Sequence, residues 1–168
     1  MTTIREQITI EKPLEVVAAY VSDPHHLPEW NALIARVLEV RPTPEVVGTV
    51  WKLLVQVAGR EQEVTARVHL YEPPRRFGFE LVGGAGIPGL TARMLLEAEP
   101  SGAPQDAQAA PGGEQIAPAT RLTCTLEIGF PLLMGGPALG KVVTPMIREQ
   151  LRQGLEQLQA VLERPRPA

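Results

Sequence analysis

The sequence of 168 residues predicts an α+β fold in which a curved antiparallel sheet wraps around one long C-terminal helix. Three observations support this: short segments of alternating apolar and polar residues, tight turns between them, and one long amphipathic pattern near the C-terminus. Alternation with a period of two is typical of half-buried strands. Consecutive hairpins make neighbouring strands antiparallel, and their apolar face needs a cover, which only the C-terminal helix is long enough to provide.

The chain is expected to begin with one strand and two short helices. Ile4, Ile8 and Ile10 alternate with polar residues, and Pro13 suits the first turn of the helix that follows. A capping side chain followed by proline, in the run Ser22-Asp23-Pro24, predicts the start of a second helix. This helix must be short, because proline and the pair Trp30-Asn31 come soon after it.

About six further strands follow, which gives a sheet of six to seven strands in all. The clearest alternation runs from Val64 to Leu70 and places Leu70 on the apolar face. Residues 100–119 have no periodicity and few large apolar groups, so we expect a mobile hairpin loop inside a single domain of residues 1–168. In the terminal helix, Pro145 either kinks one helix or follows Thr144 as the cap of a second segment.

Composition limits the function. The net charge is -3 and the 16 Lys and Arg residues do not cluster, which argues against a nucleic-acid partner. The single cysteine, Cys124, precludes an internal disulfide. The first residues lack the apolar run of a signal peptide, and no stretch approaches the ~20 apolar residues that span a bilayer. A cytoplasmic location is therefore expected.

The opening stretch ITIEKPLEVVAAYVSDPHHLPEWN and the terminal stretch REQLRQGLEQLQAVLE carry a resemblance. Together with the order of elements, they resemble the polyketide cyclase/dehydrase and lipid-transfer family of the START-related superfamily. The resemblance implies a helix-grip fold and a hydrophobic ligand, but it implies no particular reaction, because the family includes enzymes, carriers and regulatory binders.

The apolar face of the sheet has two interpretations. Its side chains form either a solid core or the wall of a cavity, and the resemblance favours the cavity. The candidate ligand-binding residues are Trp30, Trp51, Leu53, Val64, Val68, Phe77, Phe79, Met94, Leu96, Leu122, Cys124, Leu126, Met146 and Glu6.

Four kinds of residue in this set and near it were considered for a role in ligand binding, catalysis or metal binding. Glu6 shares the face of the apolar strand residues, so it is either a solvated carboxylate at the rim or a polar anchor for the ligand. Trp30 either packs in the core or stacks on the bound ligand. The adjacent His25 and His26 lack the spacing of helical metal ligands. Cys124 is expected to be a buried, inert thiol.

The function predicted first is binding or carriage of a small hydrophobic molecule, such as a lipid, a quinone or a polyketide-like compound. The alternatives are a cyclase or dehydratase that orients its substrate in the same cavity, and an interaction module without an open pocket. The sequence predicts no catalytic residue, no metal site and no cofactor. The expected partner is the small molecule alone, with no stable membrane insertion, and the protein is a monomer or a homodimer.

Overall fold

Seven strands and three helices make up the computed structural model, which describes residues 2–57, 60–84, 89–101, 118–132 and 135–164. The helices are α1 (Leu14–Val21), α2 (Leu27–Trp30) and α3 (Gly136–Glu163), and a 3-10 turn (Pro24–His26) precedes α2. The strands are β1 (Thr2–Ile10), β2 (Ile34–Arg41), β3 (Val50–Val57), β4 (Arg60–Glu72), β5 (Arg76–Gly84), β6 (Thr91–Ser101) and β7 (Ala119–Gly129).

All strand pairs are antiparallel, and the strands lie in the order β1-β7-β6-β5-β4-β3-β2. The first strand closes against the last, and each remaining neighbour pair is consecutive in the chain. This arrangement and the long C-terminal helix confirm the predicted helix-grip fold class. Most of the predicted loop at 100–119 lies outside the described residues, which resume at 118 after Ser101. Strand β6 ends at Ser101 and β7 begins at Ala119.

Strand β4 contains a bulge that the alternation of the sequence does not reveal. Val68 pairs with Phe79, whereas Leu70 pairs with Gly78, so His69 is an extra residue between two registered pairs. Because one extra residue reverses the phase of a strand, Tyr71 pairs with Phe77 on the apolar face. The prediction that Leu70 lies on that face is therefore wrong.

Helix α3 is continuous through Pro145, so Thr144 does not cap a second segment. The hydroxyl of Thr144 instead donates to the carbonyl of Gly140 one turn earlier. The helix packs mainly along β1 and against α2. Its C-terminal part is attached to the end of β1, because the side-chain amide of Gln159 donates to the carbonyl of Thr9 over 2.8 Å.

Candidate hydrophobic ligand site

The concave face of the sheet is lined by the predicted apolar residues. Every residue predicted for the site is buried except Glu6 and Met146. Leu122 and Cys124 on β7 are completely buried, and Trp51 on β3 is 1% exposed. Apart from Leu70 on β4, alternation along the strands thus predicted the inward side chains listed for the site, and these side chains belong to one buried cluster.

An aromatic group lies at the centre of this face. The ring of Trp51 lies 5.8 Å from that of Phe77 and 5.0 Å from that of Phe79, measured between centroids. Tyr71 contacts Phe77 edge to face at 6.2 Å, because the bulge at His69 turns Tyr71 inward. Rings at these distances attract one another beyond the burial of their area. Of these rings, Phe77 and Tyr71 also line the cleft described next.

A cleft of about 350 Å³ opens on this face between α1 and the turn that joins β4 to β5. Its floor contains Phe77, Leu96 and Leu122, three of the residues predicted for the site. Its lining consists of Glu15, Ala18, Ala19, Val21, Ser22, Tyr71, Pro73, Pro74, Arg75, Arg76, Phe77, Leu96, Ala98 and Leu122. Most of this surface is apolar, and the charged groups are confined to the rim.

The cleft includes residues that the sequence did not single out. The small side chains of Ala18 and Ala19 leave space between α1 and the sheet. In the sequence, the only sign of this space was the pair of consecutive alanines in a short predicted helix. Tyr71 could be found only by recognising the bulge, which has no local sequence signature here.

A second cleft, of about 520 Å³, lies between the start of α3 and the edge formed by β1 and β7. It is larger, but among its lining residues only Ile128 belongs to the buried cluster on the concave face. Its other lining residues include Thr2, Phe130, Lys141 and Pro145. We therefore take the cleft beside α1 as the candidate site, since its floor is the concave face itself.

Two predicted site residues lie elsewhere. Met146 is 65% exposed, so the prediction that it faces the sheet is wrong. It precedes the buried Leu151 by five residues, which places it about 140° around the helix from the packed side. Glu6 does share its face of β1 with buried residues, and it pairs with Cys124 across the sheet. Its carboxylate accepts a hydrogen bond from Arg148 on α3 at 3.3 Å, and Glu6 does not line the cleft beside α1.

Cys124 is buried, as the sequence predicts. The thiol is completely buried, and burial, with a smaller effect from the nearby Glu6, raises its pKa to about 12. A thiol with so high a pKa is protonated at neutral pH and is a poor nucleophile.

Other titratable groups cluster at the junction of α1 and α2. The hydroxyl of Tyr20 donates to Glu29, and burial followed by this hydrogen bond raises the pKa of Tyr20. Asp23 caps the 3-10 turn by accepting from the backbone of His25 at 3.0 Å. His26 stacks on Tyr20 with ring centroids 4.0 Å apart. Within the described ranges, no three His, Cys, Asp or Glu side chains lie close enough together to hold a metal ion.

In the part of the chain that the structure describes, no helix has both the length and the apolar character needed to cross a membrane. The seven-stranded antiparallel sheet and the long C-terminal helix define a helix-grip domain with an apolar concave face. The chain belongs to the family described as polyketide cyclase / dehydrase and lipid transport, whose model matches residues 1–163. No curated protein matches the sequence.

Three solved structures illustrate the similarity of fold. A START superfamily protein from Mycobacterium smegmatis has a TM-score of 0.70 at 18% identity, covering 95% of this chain and 98% of that chain. The Zhui aromatase/cyclase from Streptomyces sp. R1128 has a TM-score of 0.66 at 17% identity, covering 96% of both chains. A truncated norcoclaurine synthase from Thalictrum flavum has a TM-score of 0.65 at 15% identity, covering 98% of this chain and 95% of that chain. At these identities the similarity demonstrates the fold alone.

Proposed function

We propose that the protein binds and carries a small hydrophobic molecule, with the guest seated in the cleft beside α1 and against the concave face. The observation that supports this most directly is an apolar cleft of about 350 Å³ whose floor is the concave face of the sheet. This volume lies in the range of small-molecule sites, which are mostly apolar with a few polar groups. A guest that buries roughly 200 Å² of apolar surface there gains about 5 kcal/mol before the costs of association.

The distribution of charge favours holding a molecule over reacting with it. Glu15, Arg75 and Arg76 line the cleft and are exposed at its rim. Arg76 is engaged by Glu72 at 3.0 Å and by Glu97 at 3.7 Å. The floor consists of Phe77 and aliphatic side chains, so general acid–base catalysis would have to come from the margin of the site.

One observation supports an enzyme as the second candidate. Tyr71 lines the cleft and is the one phenol there, so it could hydrogen-bond to a substrate oxygen while the walls orient the substrate. The family description includes cyclases and dehydrases, and one similar structure is an aromatase/cyclase. A cyclase would lose turnover on Tyr71→Phe and keep substrate affinity, whereas a carrier would have no turnover to lose.

The location of the site is tested by filling the cleft. Ala19 is exposed on α1 and lines the cleft, so Ala19→Trp should block it without disturbing the core. Val16 is 45% exposed on the same helix but does not line the cleft, so Val16→Trp is the matched control. With the neutral fluorescent probe N-phenyl-1-naphthylamine, we expect Ala19→Trp to weaken binding at least tenfold and Val16→Trp to leave it within about twofold. Equal binding by both variants would place the site elsewhere.

The natural guest is identified by native mass spectrometry of protein purified from its own host. A co-purified neutral lipid, quinone or aromatic compound would support the carriage of a ligand. We further propose that the protein acts in the cytoplasm as a monomer or a homodimer. The same spectra report the oligomeric state directly.

A further inference from the structure

The most exposed large apolar side chains lie at one end of the molecule. Leu132 is 85% exposed, Val142 70% and Met146 65%. The other exposed large apolar side chains among the described residues are at most 45% exposed and belong to other elements. Single exposed apolar side chains are common on protein surfaces, whereas a contiguous exposed group marks an interaction site.

These side chains form a stripe along the first turns of α3. Ala138, Val142 and Met146 are all exposed and follow one another at intervals of four residues, so they lie along one side of the helix. Leu132 lies beside the first turn, because a Cβ placed on Gly136 would be 3.1 Å from its Cδ2 atom. We call this surface the α3 stripe; it consists of Leu132, Ala138, Val142 and Met146.

The opposite side of the same turns is fixed to the sheet. Gly140 is buried, and a Cβ placed there would meet the side-chain oxygen of Thr2 at 2.7 Å and a ring carbon of Phe130 at 3.5 Å. Val142 is two residues further on, so it projects about 200° around the helix from that contact. The α3 stripe therefore faces away from the sheet, and no described residue covers it.

The charge around the α3 stripe is positive. From Ile128 to Arg148 the sequence has no acidic residue and two basic ones, Lys141 and Arg148, although the whole chain has a net charge of -3. Arg148 is engaged by Glu6 at 3.3 Å. Lys141 is exposed next to Val142 and forms no salt bridge with any described residue. The stripe thus combines exposed apolar side chains with a cation that a negatively charged surface can engage.

The size of the α3 stripe favours a lipid surface over a protein partner. A stable protein interface uses about 20–30 residues on each side, far more than the stripe provides. In a symmetric dimer built on the stripe, the same surface would meet itself and bring the two copies of Lys141 close together. A bilayer needs no shaped partner, because a few apolar side chains and a cation suffice for reversible binding to anionic lipids.

We propose that the α3 stripe docks this end of the protein reversibly onto an anionic lipid bilayer. Leu132, Val142 and Met146 enter the boundary between headgroups and acyl chains, and Lys141 reaches the lipid phosphates. The contact is peripheral, since α3 keeps its other side packed on β1. The proposal goes beyond the proposed function and does not depend on which molecule occupies the cleft beside α1.

Cosedimentation with vesicles tests the proposal. The vesicles contain either phosphatidylcholine alone or an equimolar mixture of phosphatidylcholine and phosphatidylglycerol, and we expect the wild type to bind the anionic mixture more tightly. One lysine near an anionic surface contributes about fivefold to the binding constant, so Lys141→Gln should weaken binding to the mixture about fivefold. Binding of this variant to phosphatidylcholine alone should be unchanged.

The apolar contribution is tested with a matched pair of variants. Met146→Asp removes an apolar side chain from the stripe and should weaken binding to the anionic mixture at least about tenfold. Val16 is 45% exposed on α1, outside the stripe. Val16→Asp makes the same change of charge and should leave binding within about twofold, because charges far from the lipid surface are screened by salt.

A polarity-sensitive fluorophore locates the surface that touches the bilayer. Cys124 is completely buried, so a thiol-reactive nitrobenzoxadiazole label attaches to the new thiol of Met146→Cys or Val16→Cys. On addition of anionic vesicles, we expect the label at position 146 to brighten and its emission to shift to the blue. The label at position 16 should not respond.

Three results would overturn the inference. The wild type does not bind anionic vesicles, or Val16→Asp weakens binding as much as Met146→Asp does. Alternatively, the label at position 146 responds to protein concentration instead of vesicles and sedimentation velocity shows a dimer, in which case the stripe contacts a second copy. The proposed function stands in each case, because binding of N-phenyl-1-naphthylamine in the cleft beside α1 is measured without vesicles.

Discussion

Gly154 determines how closely α3 approaches α2, and Gly154→Ala tests that contact. The added Cβ would lie 2.3 Å from the carbonyl oxygen of Trp30 and 3.5 Å from its carbonyl carbon. These are backbone atoms, so no side-chain rotation relieves the overlap, and α2 and α3 must separate by about 1 Å to restore an ordinary contact. Overpacking of this kind costs about 1–3 kcal/mol, and a backbone overlap belongs at the upper end of that range.

The gain in helix propensity opposes this cost. Replacing glycine by alanine inside a helix is favourable by about 1 kcal/mol, so the net destabilisation expected for Gly154→Ala is about 1–2 kcal/mol. For a chain of this size, that lowers Tm by roughly 2–8 °C. Thermal and urea unfolding followed by circular dichroism measure both quantities.

Gly140→Ala is the matched control, because Gly140 is also a buried glycine of α3. There a Cβ would meet the side-chain oxygen of Thr2 at 2.7 Å, and that hydroxyl can rotate away. We expect Gly140→Ala to change stability by less than about 1 kcal/mol, because the propensity gain offsets a small repacking cost. If Gly154→Ala were as stable as the wild type, the close contact of α3 with Trp30 would not exist as described.

Three further predictions concern titratable groups. Hydrogen bonds from Arg93 and then Arg67 lower the pKa of Glu80 below 4.5. The ionised carboxylate therefore contributes about 1 kcal/mol to stability above pH 4.5, and this contribution is lost as the pH falls. In urea unfolding, the stability of Glu80→Gln should not show this decrease at low pH. Burial and then Arg93 lower the pKa of His69 below 6.5, so the wild type should lose stability as the pH falls through 6.5, because the unfolded chain takes up the proton, and His69→Gln should lose less. The buried thiol of Cys124 should not react with a disulfide reagent at pH 8 until denaturant unfolds the protein, and rapid labelling of the native state would contradict its burial.

The local features were predictable because they depend on residues adjacent in the chain. Alternation assigned the inward face of β7, where Leu122, Cys124 and Leu126 are all buried. The capping signal at Asp23 was also correct, since its carboxylate accepts from the backbone of His25. Such signals are read over a few residues, and they specify the type of element and the face that it buries.

Features of the site that depend on distant residues were not predictable. The bulge at His69 follows from the pairing of β4 with β5, and it turned Tyr71 into the cleft against the expected phase. Met146 satisfied the helical pattern and is nevertheless exposed, because the apolar residues of α3 span a wider arc than the part that packs on β1.

The fold class, the order of the elements and the apolar character of the concave face were all predictable from the sequence. These depend on periodicity and on turn residues, which act locally. The position of the cleft on that face and the identity of the buried group without a partner depend on the packed structure. The cleft lies where Ala18 and Ala19 of α1 leave space beside Phe77 on the sheet, and the indole N–H of Trp30 has no acceptor among the described residues. Space and hydrogen bonding are properties of atoms brought together from distant parts of the chain, and a one-dimensional pattern does not contain them.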